Sequence, residues 1–161
     1  MTAKNALILG LGNDLLTDDG FGPAVIAAAR ALVEQRPGVR LETAAAGGFR
    51  ILDVIAGADE VLIIDVVRTG RVPPGTVTWW PLADASAGRT LGAGHGMDLA
   101  TTLAFGAAAG YRMPRRVDLL VAEARDLETI SERMTAAVQA AVPEALREVV
   151  EWIAPPGRRE S

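Results

Sequence analysis

Acidic side chains and the single imidazole of the chain stand at three separated places where they could bind a metal ion or transfer protons. Asp18 and Asp19 form an adjacent pair in the segment TDDG, Asp65 ends the apolar run EVLIID, and His95 lies between two glycines. Two carboxylates and one imidazole suit a divalent ion such as nickel or zinc, and they leave coordination positions for water or substrate. The sequence therefore indicates a metal site, provided that the fold brings these places together.

Each of these side chains also has a purely structural interpretation. Asp18 and Asp19 precede a helical pattern, so their oxygens can cap its first turn, although only one of the pair is needed for that. Asp65 can act as a helix cap or pair with a cation such as Arg68, and an isolated histidine is usually a hydrogen-bonded bystander. The residues alone leave both interpretations open.

Apolar runs alternate with segments of helical spacing along the chain. The predicted strands are Ala6–Leu11, Val39–Ala44, Glu60–Val67, 75–82 and 117–122, with 75–82 expected nearer an edge. The predicted helices are 20–33, 49–55, 99–109 and 130–152, and Pro143 is expected to kink or divide the last one. This alternation predicts an α/β fold: a three-layer sandwich with a mostly parallel, twisted sheet of about five strands and helices on both faces.

The predicted topology gives a reason to expect the three places at one edge. In such folds the working crevice lies beyond the carboxyl ends of the parallel strands. The segment from Asn13 to Asp19 directly follows the first predicted strand, Asp65 closes the third, and the loop with His95 leads into a helix. We expect one domain over residues 1–154 and a frayed tail at 155–161.

Composition restricts the class of protein further. The 161 residues suffice for one domain with a core, half of them are hydrophobic, and the net charge of −4 disfavours a nucleic-acid partner. The absence of cysteine excludes thiolate metal sites and cysteine nucleophiles. The short N-terminal apolar run and the lack of about 18 consecutive apolar residues predict no signal peptide and no membrane partner. We expect a cytoplasmic protein.

Competing motifs are incomplete. GLGND lacks the third glycine of a dinucleotide fingerprint, and neither a Walker A lysine nor a G-x-S-x-G motif occurs. A phospho-acceptor receiver domain would need acids at the tip of the first strand and a lysine after the last one, and both are missing.

Four segments resemble a known family, the hydrogenase maturation proteases. ILGLGNDLLTDDGFGPAVI is similar to the opening signature of that family, AGGFRILDVI to its second segment, EVLIIDVV to the strand with a ligand aspartate, and HGMDLATTLAF to the segment with a ligand histidine. The resemblance spans nearly the whole chain. It implies an endopeptidase that removes a C-terminal extension from the precursor of a nickel–iron hydrogenase large subunit after nickel insertion.

The resemblance also implies roles for particular residues. Asp19, Asp65 and His95 correspond to the metal ligands. Apart from the resemblance, Asp18 or Asp19 could serve as a base toward the attacking water, and we take Asp19 as the catalytic candidate. The metal is expected to be nickel, supplied at least in part by the substrate. Asn13, Gly47 and Gly48 are expected to contact the substrate. Two alternatives stay open: a nickel-dependent checkpoint or chaperone that binds the precursor without cutting it, and a divergent metal-dependent amide hydrolase.

Overall fold

The computed structural model describes residues 5–45, 49–82 and 99–155. Within these ranges the strands are β1 (Ala6–Leu11), β2 (Val39–Ala44), β3 (Glu60–Val67), β4 (Val77–Trp80) and β5 (Arg116–Glu123). The α-helices there are α1 (Phe21–Val33), α2 (Arg50–Ile55), α3 (Leu99–Ala108) and α4 (Ala136–Ile153), and a 3-10 helix (Thr17–Gly20) precedes α1.

The strands form one sheet in the order β2-β1-β3-β5-β4. The first four of these neighbours run parallel, and β4 pairs antiparallel with β5 at the edge. β4 reverses direction because the short connection after β3 contains no helix, and a parallel return needs a crossover of a dozen or more residues. The predicted fold class, with a mostly parallel sheet of about five strands, is confirmed.

Hydrophobic cores cover both faces of the sheet. Helices α1 and α4 pack on one face, where they enclose alternate strand residues such as Ile8 and Leu62. Helices α2 and α3 pack on the other face around Leu7, Leu9 and Ile63. The central strands are buried on both sides, which explains why β1 and β3 are nearly uninterrupted apolar runs.

Helix α1 approaches the sheet closely at the carboxyl end of β3. Gly22, in the first turn of α1, lies so near the sheet that a Cβ there would stand 2.7 Å from the carbonyl oxygen of Ile64. A side chain at this position would push the helix away. Glycine therefore brings the start of α1, and the 3-10 helix before it, against the carboxyl end of β3.

Several predicted boundaries are wrong. The last helix begins at Ala136 instead of residue 130, because the backbone of Ser131 bonds to residues 15–17, and the helix continues through Pro143 undivided. The predicted strand 75–82 shortens to β4, and the helix predicted from residue 20 begins at Phe21. In the described part of the chain, no helix is long and apolar enough to span a membrane.

Candidate metal centre

The structure places two acidic side chains together at the carboxyl edge of the parallel strands. Asp65 is the sixth residue of β3 and is wholly buried, and Asp19 lies in the 3-10 helix that contacts this strand and is 1% exposed. Burial raises the pKa of Asp65 well above its ordinary value, the N–H of Val66 lowers it, and the nearby charge of Asp19 raises it again. A buried acid that also feels the charge of a second carboxylate favours either its protonated form or a cation.

Each of the two carboxylates has one oxygen satisfied and one oxygen unsatisfied. Asp19 Oδ2 accepts a hydrogen bond from the N–H of Asn13 at 2.8 Å, and Asp65 Oδ1 accepts one from the N–H of Val66 at 2.7 Å. Asp19 Oδ1 and Asp65 Oδ2 are buried and accept no hydrogen bond from the described residues. A buried carboxylate oxygen without a partner is costly, and a divalent cation would remove that cost. The residues present therefore fit a metal ion.

The third predicted ligand lies outside the described residues. His95 belongs to the range 83–98, and Gly47 and Gly48 belong to 46–48, so their predicted roles stay predictions. Residues 156–161 of the tail predicted to fray also lie outside. Within the described ranges, the two aspartates are not joined by a third side chain (histidine, cysteine or acid) that could complete a metal site.

Asn13 lies beside Asp19 and orients it. Its N–H binds the Asp19 carboxylate, and its side-chain Oδ1 accepts a hydrogen bond from the N–H of Leu15 at 3.0 Å. The side chain thus stabilises the turn that follows β1. Its predicted contact with substrate stays a prediction.

Asp18 has a different environment from its neighbour. Its carboxylate is fully buried and accepts hydrogen bonds from the backbone N–H groups of Arg125, Asp126 and Thr135 and from the Thr135 hydroxyl. No side-chain hydrogen bond caps α1, so the interpretation of Asp18 or Asp19 as a cap of its first turn is wrong. The sequence left the roles of the two adjacent acids open, and the structure separates them: Asp18 is saturated by donors, whereas Asp19 Oδ1 accepts no hydrogen bond from the described residues and its charge acts on Asp65.

Among the described residues, no cation pairs with Asp65. Arg68 pairs instead with Glu128 at the surface, at 3.3 Å, so the proposed pairing of Asp65 with Arg68 is wrong. Nor is Asp65 a helix cap, because β3 continues to Val67. Among the described residues, Asp65 receives only the N–H of the residue that follows it.

Sequence reasoning missed Glu123, a third acid at the same edge. It is buried at the end of β5, and its carboxylate accepts hydrogen bonds from the N–H groups of Thr69 and Gly70 and from the Thr69 hydroxyl. It thereby fixes the loop that leaves β3. The signal was available, since Glu123 follows an apolar run of the sequence (VDLLVA), as Asp65 follows VLII.

The fold and the site define an α/β protein with two buried carboxylates at the carboxyl edge of its sheet, each with one oxygen that accepts no hydrogen bond from the described residues. The family model described as hydrogenase maturation protease matches residues 24–152. The chain belongs to the hydrogenase maturation protease family. It is a peptidase by that membership, and the predicted family resemblance is confirmed.

Individual relatives agree with this assignment. The chain is 31% identical, over 98% of its length and 76% of the relative, to the hydrogenase expression/formation protein HoxM of Azotobacter vinelandii. The hydrogenase maturating endopeptidase HybD from E. coli superposes with a TM-score of 0.77 at 25% identity, covering 92% of this chain and 91% of the other. The NiFe hydrogenase maturation protease HybD from Thermococcus kodakarensis gives a TM-score of 0.71 at 25% identity, covering 94% and 99%.

Proposed function

We propose that this chain is the endopeptidase that removes a C-terminal extension from the large-subunit precursor of a nickel–iron hydrogenase after nickel has been inserted. The observation that carries the proposal is the pair of buried oxygens, Asp19 Oδ1 and Asp65 Oδ2, that accept no hydrogen bond from the described chain. The family membership supplies the reaction class, and the acids supply a reason for nickel dependence. In this proposal the nickel arrives with the precursor and is part of the substrate.

Asp19, Asp65 and the predicted ligand His95 would hold the nickel ion of the precursor. The ion would polarise the scissile carbonyl as a Lewis acid. The N–H groups of Asn13 and Val66 keep the two carboxylates in fixed orientations, which limits the reorganisation needed when the substrate binds. These two carboxylates are thus held in place before the precursor arrives.

Proton placement in the site follows from burial. Because the pKa of Asp65 is raised, we propose that Asp65 Oδ2 carries a proton when no cation is present and loses it when a cation binds. Asp19, which lies nearby with one oxygen unsatisfied, is the proposed base toward the attacking water.

Intact-mass spectrometry of the precursor tests the proposal. The purified chain is mixed with large-subunit precursor prepared with and without nickel, and the precursor mass is followed in time. We expect the nickel-loaded precursor alone to shorten, and we expect Asp65→Asn to prevent this. Glu128→Gln, at an acid 85% exposed in the surface ion pair, is the control and should process at the wild-type rate. A nickel-loaded precursor that binds but keeps its mass would contradict the protease and support the checkpoint alternative.

A further inference from the structure

The segment 125–135, which follows β5, is bound along its length to the residues before Asp19. The N–H of Ser131 donates to the carbonyl oxygen of Leu15 at 2.9 Å, and the N–H of Thr17 donates to the carbonyl oxygen of Ser131 at 3.0 Å. The N–H of Asp18 donates to the carbonyl oxygen of Asp126 at 3.1 Å. Residues 15–18 and segment 125–135 are therefore joined by backbone hydrogen bonds, and residues 15–18 lead directly to Asp19.

The Asp18 carboxylate binds both ends of segment 125–135. Its Oδ2 accepts the N–H groups of Arg125 and Asp126, each at 2.9 Å, and its Oδ1 accepts the N–H of Thr135 at 2.7 Å. The Thr135 hydroxyl adds contacts of 2.9 and 3.0 Å to the two oxygens. A buried charge is tolerated here because several donors stabilise it, and all of them come from one segment.

The backbone beside Asp18 has an unfavourable conformation that these contacts must hold. Thr17 has a φ of 49°, in the left-handed region that β-branched residues rarely adopt. Its hydroxyl donates to the carbonyl oxygen of Thr129, in the same segment. The segment therefore contributes to holding the turn at Thr17, which lies two residues before Asp19.

Asp19 itself is directed by this turn. Its N–H donates to the carbonyl oxygen of Leu16 at 3.0 Å, and its Oδ2 accepts the N–H of Asn13 at 2.8 Å. Together these bonds leave Oδ1 as the oxygen without a partner among the described residues. The direction of Asp19 Oδ1 therefore depends on the shape of residues 13–18.

We propose that Asp18 is a positioning residue: by binding segment 125–135 through both oxygens, it fixes the turn that keeps Asp19 Oδ1 in the site beside Asp65. Segment 125–135 then supports the active site by holding this turn, although it contributes no metal ligand. The consequence for nickel binding rests on the proposed function, whereas the consequence for the Asn13–Asp19 hydrogen bond does not.

Three variants and one control test the proposal. Asp18→Asn replaces an acceptor oxygen with an amide that faces N–H donors, Thr135→Val removes only the hydroxyl donor, and Thr135→Ser restores it. The control is Asp118→Asn, because Asp118 also accepts two strong donors, from Trp152 Nε1 at 2.7 Å and Arg116 Nε at 2.6 Å, but lies near the opposite end of β5.

Two measurements are made at a temperature at which each variant is folded by circular dichroism. One is amide hydrogen exchange of Asn13, compared with the slowest-exchanging core amides. The other is calorimetric titration with Ni²⁺ alone. We expect Asp18→Asn and Thr135→Val to accelerate Asn13 exchange and to weaken Ni²⁺ binding, each about tenfold, the order expected for a hydrogen bond to a charged group. Thr135→Ser should be close to wild type, and Asp118→Asn should change neither quantity more than about twofold on the same scale.

The outcomes separate the two ideas. Unchanged Asn13 exchange in a folded Asp18→Asn or Thr135→Val variant would overturn the positioning role. If Asp18→Asn does not fold, the Thr135 pair decides. If the wild type binds no Ni²⁺, the proposed metal site fails, and Asn13 exchange still supports or overturns the role of Asp18.

Discussion

Asp18 and Asp19 are adjacent in the chain and both buried, yet their carboxylates have opposite hydrogen-bonding environments. Asp18 accepts three backbone N–H groups and a hydroxyl, whereas one oxygen of Asp19 has no partner among the described residues. The hydrogen bonds to Asp18 stabilise the fold. Burial of the unpartnered Asp19 oxygen costs free energy, and a ligand bound to that oxygen would remove this cost. The number of donors thus separates Asp18 from Asp19, which residue type and burial do not, and we propose that only the unsaturated acid binds a ligand.

The largest expected effect is on the unsaturated side of this comparison. Asp19→Asn and His95→Ala should each reduce processing of the nickel-loaded precursor by at least about 100-fold, because loss of a direct ligand should exceed the loss of a residue that only supports one. Thermal unfolding should change little in His95→Ala. The rate is measured by intact mass, with Glu128→Gln as the control. Processing by His95→Ala at a rate near wild type would exclude a three-ligand site.

The saturated side should show the reverse pattern. Asp18→Ala leaves several donors unsatisfied in a buried place and should lower the free energy of unfolding by about 3 kcal/mol. Among the described residues, Asp19→Ala leaves only the Asn13 N–H without its partner, and it removes a poorly compensated charge, so it should cost less than about 1 kcal/mol. Urea denaturation of both variants measures the difference. Equal costs would show that the hydrogen-bond count does not separate the two acids.

How far the sequence predicts this molecule differs between its parts. β1 and β3 were predicted with their observed bounds, because a strand buried on both faces is a continuous apolar run. β4 was predicted too long, since Trp79 and Trp80 stand at an edge where the pattern does not mark the last paired residue. The positions of Asp19 and Asp65 at one edge followed from the rule for parallel sheets.

The sequence could not assign the partners of Asp18, because they lie 107 to 117 residues further along the chain. It also extended the last helix back to residue 130, because Ile130 and Met134 stand at helical spacing. The structure places Ile130 on the surface, 83% exposed, in the segment held by Asp18. Local periodicity carries no information about such a tertiary contact, whereas Thr135 before an apolar helical pattern was a usable start signal.

The raised pKa of Asp65 makes the stability of the folded protein depend on pH. Burial raises the pKa of Asp65, so the folded protein binds more protons than the unfolded chain between the ordinary carboxyl pKa and the raised value. The stability contribution of Asp65 therefore falls as pH rises through that interval. Without metal, Asp65→Asn should melt like the wild type below about pH 4 and at higher temperature near neutral pH. A pH-independent difference in melting temperature would contradict the burial of a titrating Asp65. Added Ni²⁺ should stabilise the wild type and leave Asp65→Asn unchanged.

The smallest expected effect concerns Glu128, an exposed acid that belongs to neither side of this comparison. Glu128 belongs to segment 125–135, but its side chain is 85% exposed. Its ion-pair partner among the described residues is Arg68, at 3.3 Å, whose side chain is half exposed. Exposed pairs gain little because water and salt screen them, so Glu128→Gln and Arg68→Gln should each change the free energy of unfolding by less than about 1 kcal/mol. Urea denaturation at low and high salt measures this. A cost near that of Asp18→Ala would mean that the ion pair holds the segment, and the saturated Asp18 carboxylate would then not be its principal anchor.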